Sequence, residues 1–180
     1  MSSPLTATDL VARLGVSRET GDRLAAYVAL LATWQKRINL VGPSTLADPW
    51  RRHILDSAQL MPHIAAGSSV VDLGSGAGFP GLVLAILGDF DVHLIESDQR
   101  KAVFLREAAR VTGAAVTVHA RRLETVTDLT ADVITARALA GELDFEGALT
   151  ERVGQLEGLE LGALEQCFAE RITLMPGART

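Results

Sequence analysis

Val70-Val71-Asp72-Leu73-Gly74-Ser75-Gly76-Ala77-Gly78-Phe79-Pro80-Gly81 is the most informative stretch of the chain. A short apolar run ends in an acid, a glycine cluster follows, and then the apolar segment Pro80–Leu87 runs to Gly88. That order predicts a buried strand from Ser69 to Leu73, a tight turn and a helix. This is how an open α/β sheet builds a ligand crevice at its strand ends. Glycines at 74, 76 and 78 allow positive φ and let the backbone approach a ligand closely. The free N–H groups at the helix start are suited to a carboxylate.

Outward from this segment the same alternation continues. Val92–Ile95 reads as a second strand, and Ser97 or Asp98 as the cap of a helix carrying Ala102, Leu105 and Ala109 and ending at Gly113. Val116–Val118 and Val133–Thr135 make two more strands. The fold class expected is α/β, a Rossmann-like parallel sheet with helices on both faces. Upstream, Leu24, Val28, Leu31, Trp34 and Ile38 form one helical stripe after a Ser17 cap, broken by Gly42-Pro43. Asp48-Pro49 predicts a second helix start, with Ile54, Leu55 and Ala58 inward and Pro62 as its end. Beyond Ala140 the pattern weakens. Leu149, Val153, Leu156, Leu164 and Phe168 fit helices only against the helix-weakening Gly147, Gly154, Gly158 and Gly162, and Arg171–Met175 reads as a last strand. The division expected is a helical extension over 1–66, a core over 67–140 and a divergent segment over 141–180 that packs on or completes the core, its strands incompletely specified.

Length and composition bound the function. With 180 residues, 48% of them apolar, the chain fits one domain with a small appendage and buries roughly 70% of its unfolded surface. No apolar run approaches the roughly 20 residues of a membrane span, and no basic stretch near the N-terminus leads into one. A membrane partner is therefore not expected. The one cysteine, Cys167, excludes an internal disulfide and a cysteine-rich metal site, so a cytoplasmic setting is the default and no metal is expected. The net charge of -5 argues at first against nucleic acid. Yet residues 138–180 hold eight acids and three bases, which leaves residues 1–137 neutral. Within them Lys36, Arg37, Arg51 and Arg52 form a basic stretch opposed only by Asp48, either a solvated face or a polyanion contact.

Glu96 ends the second strand 22 residues after Gly74, the place of an acid that binds ribose hydroxyls. The segment Gly76–Gly81 formally matches the pattern of NAD sites. Asp72 weighs against NAD, because a carboxylate ahead of the glycines repels pyrophosphate and attracts the ammonium and sulfonium of S-adenosylmethionine. S-adenosylmethionine is the cofactor expected, with NAD and a turn shaped only for packing as the alternatives.

Several elements together resemble the bacterial 16S ribosomal RNA guanine-N7 methyltransferases of the RsmG or GidB family. They are Trp34 with Ile38-Asn39-Leu40-Val41, Arg52-His53-Ile54-Leu55-Asp56-Ser57, the glycine segment, Glu96–Lys101 with Phe104-Leu105-Arg106, Arg122-Leu123-Glu124 and Thr135-Ala136-Arg137-Ala138. The resemblance runs from about Leu24 to Ala140. It implies an S-adenosylmethionine-dependent methyltransferase that modifies N7 of a guanine in 16S rRNA, within the small subunit or an assembly intermediate, as a monomer. It also implies a cofactor site of Asp72, Gly74, Gly76, Gly78, Phe79, Glu96, Leu123, Glu124 and Arg137. Gly74 and Phe79 would lie on the methionine side, Glu96 at the ribose, Leu123 and Glu124 at the adenine edge, and Arg137 near the cofactor and base. Each has a plainer alternative: Leu123 as core, Glu124 as a surface acid, Arg137 as an ion-pair partner. RNA phosphates would be met by Lys36, Arg37, Arg51, Arg52, Arg100 and Lys101.

No catalytic acid or base is expected, because guanine N7 already presents a lone pair. His53 is the tempting candidate, but a helix-borne histidine is more often hydrogen-bonded structure. Two rival functions are a cofactor-binding fragment without turnover and a methyltransferase acting on small molecules.

Overall fold

The structure, a computed structural model, describes residues 4–137 together with 175–176. Four parallel strands form the sheet: β1 (Ser69–Leu73), β2 (Asp91–Ile95), β3 (Val116–His119) and β4 (Val133–Ala136). A short β5 (Met175–Pro176) pairs antiparallel with β4 opposite Val133 and Ile134, giving the order β3-β2-β1-β4-β5. The helical readings of 141–170 and most of the strand read over Arg171–Met175 lie outside the described residues.

Ahead of the sheet come α1 (Ala7–Leu14) and α2 (Arg18–Trp34), and between strands α4 (Gly81–Leu87) and α5 (Gln99–Thr112). Ser17 caps α2 by accepting the Thr20 N–H, and Asp98 caps α5 by accepting those of Arg100 and Lys101. Side chains of α1, α2, α4 and α5 share one apolar cluster with Val70, Val92 and Leu94, one face of the sheet. On the opposite face Val71, Leu73, Ile95, Val126 and Ala136 form a smaller cluster. There the cover is the β3–β4 connection, with its 3-10 turn Leu123–Thr125 and side chains Leu123, Leu129 and Ala131. Among the described residues the longer helices therefore lie on one face. The helices expected on the second face are not found among them.

Two local readings change. The stripe through Ile38 predicts a helix that long, but α2 ends at Trp34. Gln35 takes over: its side-chain oxygen accepts the Leu40 and Val41 N–H groups (2.9 and 3.0 Å) and its amide donates to Val41 O (2.9 Å). With those backbone groups satisfied by a side chain, the segment turns back while Ile38 still packs on the core.

Asp48-Pro49 does open a helical segment, but Trp50–Leu55 is a π-helical turn that runs into α3 (Asp56–Ala58). Asp48 accepts from Arg51 Nε (2.9 Å) and the Leu5 N–H (3.1 Å). The wide turn buries two consecutive side chains, His53 and Ile54, at 2% and 0% exposure. Wide turns of this kind recur where a side chain must be re-aimed at a site.

Candidate cofactor site

The strand order reverses between β1 and β4: β1 is followed by β2 and β3 on one side, and β4 lies on its other side. The glycine segment leaves the carboxyl end of β1, and Arg137 follows β4 at the same end. A crevice at the carboxyl ends of the strands flanking such a reversal is where open α/β sheets bind ligands.

Two glycines here are set by packing. Gly78 has φ +94°, and a Cβ would stand 2.9 Å from Leu82 Cβ and from the Tyr27 hydroxyl oxygen. At Gly81 a Cβ would lie 2.5 Å from Leu94 Cδ2 and 2.7 Å from Asp72 Cβ. Gly76 differs: its φ is +55°, but a Cβ would meet only Gly74 O, at 3.7 Å, so the space beyond it is open. The Tyr27 hydroxyl donates to Ala77 O, and burial pushes its pKa well up, which keeps it a donor.

Asp72 is fully buried. Its carboxylate accepts from the Thr135 hydroxyl (2.8 Å) and, at 3.3 Å, from the Gly81 N–H. Burial raises its pKa to about 6, against the hydrogen bonds that pull it down. It thus ties β1 to β4 and to the start of α4, beneath the loop. One donor expected to be free at the helix start, Gly81 N–H, is taken by this acid.

Glu96 is 6% exposed and accepts the N–H of Gly76 (2.8 Å) and of Asp98 (2.8 Å). A carboxylate offers about four lone-pair positions, so two remain for hydroxyl donors. At the other end of the loop the Phe79 ring is stacked by His53 (4.7 Å, 12°) and flanked by Tyr27 (5.3 Å). The Arg137 guanidinium lies over the same ring, 5.5 Å from its centroid. Its Nη2 donates to His53 Nδ1 (2.8 Å) and Arg52 O (3.2 Å), and its Nη1 lies 3.5 Å from Asp56 Oδ2. The side chain is 9% exposed, and Nη1 makes no hydrogen bond among the described residues.

The structure therefore brings Gly74, Gly76, Gly78, Phe79, Arg137 and Glu96 around one loop, with Asp72 under it. Leu123 packs on the second-face cluster and Glu124 is exposed beside it, both on the turn after β3. Of the basic residues, Lys36, Arg37 and Arg52 are exposed, Arg51 is ion-paired with Asp48 at 2.9 Å, and Arg100 with Asp98 at 3.3 Å; Lys101 is half-buried. Sequence patterns miss Thr135 and Tyr27 as loop supports. The first is legible only once Thr135 is known to lie opposite Asp72 in the β1–β4 register. Among the described residues no group of three metal-ligating side chains occurs, and no helix is long and apolar enough to cross a membrane.

The fold and this loop define a Rossmann-like α/β protein with a glycine turn and a strand-end acid. Among solved structures it is similar to a Pyrococcus horikoshii protein described as a transferase. The TM-score is 0.52 at 15% identity, over 79% of this chain and 65% of that one, a likeness that speaks to the fold alone. The chain belongs to the GidB family, rRNA small subunit methyltransferase G, which it matches over residues 21–156. The match extends past Ala140, so the first part of the divergent segment lies within it.

Curated relatives agree. The chain is 62% identical to the ribosomal RNA small subunit methyltransferase G of Paramagnetospirillum magneticum, over 73% of its own length and 65% of the relative's. It is 66% identical to that of Rhodospirillum centenum, over 74% and 62%. It thus spans just under two thirds of both relatives.

Proposed function

We propose that the chain is an S-adenosylmethionine-dependent methyltransferase acting on N7 of a guanine in 16S rRNA. The observation that carries this is the glycine loop at the β1–β4 reversal, with the Glu96 carboxylate bonded to its Gly76 N–H and the Arg137 guanidinium over its Phe79 ring. Family membership supports the substrate class.

The residues present fit that cofactor. Glu96 keeps two lone-pair positions for ribose hydroxyls, and the open side of Gly76 admits close backbone approach. When bound, the cofactor supplies an electrophilic methyl group on sulfonium. The chain has little proton chemistry to perform, since N7 needs no deprotonation. Its work is alignment, which supplies roughly 7–11 kcal/mol in favourable cases. His53 is unsuited as a base: burial, with Arg137 and Arg52 nearby, holds its pKa down at about 4, and both ring nitrogens are engaged. Leu123 and Glu124 would meet the adenine edge, and Lys36, Arg37, Arg51, Arg52, Arg100 and Lys101 the RNA phosphates. With the small ribosomal subunit as substrate, a cytoplasmic setting follows.

The test is transfer of labelled methyl from S-adenosylmethionine to small subunits that lack the modification. The triple variant Lys36→Gln, Arg37→Gln, Arg52→Gln is expected to lose tenfold or more in transfer at moderate salt, with cofactor affinity by calorimetry unchanged. Every phosphate that is no longer neutralised makes RNA binding less salt-dependent, by roughly 0.7–0.9 in log–log slope. Unchanged transfer in the triple variant would remove the basic stretch from the RNA surface.

A further inference from the structure

Arg137 is held almost wholly by residues 52–56, a segment distant in sequence from the glycine loop. A guanidinium has only donors, so His53 Nδ1, 2.8 Å from Arg137 Nη2, must be unprotonated and accepting. The neutral ring then carries its hydrogen on Nε2, which donates to Thr45 Oγ1 at 2.9 Å. The Thr45 hydroxyl hydrogen in turn goes to Gly42 O at 2.7 Å. Donation therefore runs one way, Arg137 to His53 to Thr45 to Gly42. The imidazole is clamped as well as bonded: it is 2% exposed and stacked on the Phe79 ring that also underlies Arg137.

We propose that His53 is a positioning residue for methyl transfer: its unprotonated Nδ1 holds the Arg137 guanidinium over Phe79, at the end of the glycine loop. This rests on the function proposed above. The other terminal nitrogen, Nη1, is buried and lies 3.5 Å from Asp56 Oδ2, so residues 52–56 fix both arms of the guanidinium. Burial and the adjacent arginines favour the neutral ring, and so keep Nδ1 an acceptor throughout the neutral range.

Two substitutions separate positioning from bulk packing. In His53→Asn the side-chain oxygen falls near the place of Nδ1 and can still accept from Arg137. In His53→Gln the amide falls near the place of Nε2 and keeps only the Thr45 side. In the full chain with S-adenosylmethionine and undermodified small subunits, kcat is expected to be at least tenfold higher in the Asn variant than in the Gln variant. Tm should differ little between the two, and any loss of cofactor affinity by calorimetry should fall on the Gln variant. Nitrogen-15 NMR should show slowed rotation of the Arg137 guanidinium in wild type and in His53→Asn, and free rotation in His53→Gln. Equal impairment or equal activity of the two variants would overturn the proposal. So would a wild-type His53 ring that carries its hydrogen on Nδ1, a measurement that needs no variant. If wild type transfers no methyl group, the proposed function fails, and the NMR measurements alone decide whether His53 holds Arg137.

Discussion

Gly78→Ala is expected to destabilise the protein by about 3 kcal/mol and to abolish measurable cofactor binding, whereas Gly76→Ala should cost about 1 kcal/mol and still lose binding. Alanine at positive φ costs roughly 1–2 kcal/mol wherever it occurs. At Gly78 the added carbon also lands 2.9 Å from Leu82 Cβ and from the Tyr27 hydroxyl oxygen, and 3.1 Å from Leu105 Cδ2. All three side chains are fully buried, and overpacking of this kind adds about 1–3 kcal/mol. Relief would move α4 or Tyr27, and with Tyr27 the hydrogen bond that supports Ala77 O. At Gly76 the carbon points into open space, the space a cofactor would take. Urea denaturation gives the first quantity and calorimetry with S-adenosylmethionine the second. Equal stability losses at 76 and 78, with binding intact in Gly76→Ala, would reduce the glycine cluster to a packing turn.

The second large effect concerns pH and a pair of opposing groups. Asp72 is raised by burial to about 6 from an ordinary 3.8. Between pH 4 and 6 the folded protein thus keeps a proton that the unfolded chain has released. Its contribution to stability falls as pH rises through that window, by about 3 kcal/mol in all. His53 is lowered by burial to about 4 from an ordinary 6.5. Between pH 4 and 6.5 the unfolded chain holds a proton that the folded one lacks, so this contribution rises with pH, again by about 3 kcal/mol. In wild type the two slopes oppose each other and nearly cancel. Removing one exposes the other. His53→Asn should become less stable as pH is raised from 4 to 6, and Asp72→Asn should become more stable as pH is raised from 4 to 6.5. Urea denaturation across this range checks both, and variants that merely parallel wild type would contradict the assignment.

The parallel sheet and its capped helices are legible in the sequence because they rest on local signals. Asp98 caps α5 as its residue type predicts, and the glycine cluster turns between β1 and α4. Ser17 likewise starts α2. What is not legible depends on contacts between distant residues. Asp72 reads as a charge facing a ligand, but the structure places it beneath the loop, where Thr135, 63 positions away, hydrogen-bonds it. His53 reads as a helix-borne structural histidine, and it is fully hydrogen-bonded. No periodicity shows that its partner is Arg137, 84 positions on. The π-helical turn at Trp50–Leu55 escapes for the same reason, since its width answers to what His53 and Ile54 must reach. Arg51 shows a limit of reading charge along a chain: its Nε pairs with Asp48, a contact that the count of basic residues does not reveal.

Methyl transfer to guanine N7 is decided by incubating the full chain with isotope-labelled S-adenosylmethionine and undermodified small ribosomal subunits, then digesting the RNA and identifying the labelled nucleoside by mass spectrometry. The expected product is labelled 7-methylguanosine, in 16S RNA, dependent on the chain. Cofactor binding without label in RNA would instead support a binding fragment. Label on a pyrimidine carbon or an exocyclic amine would contradict the chemistry assigned to the site.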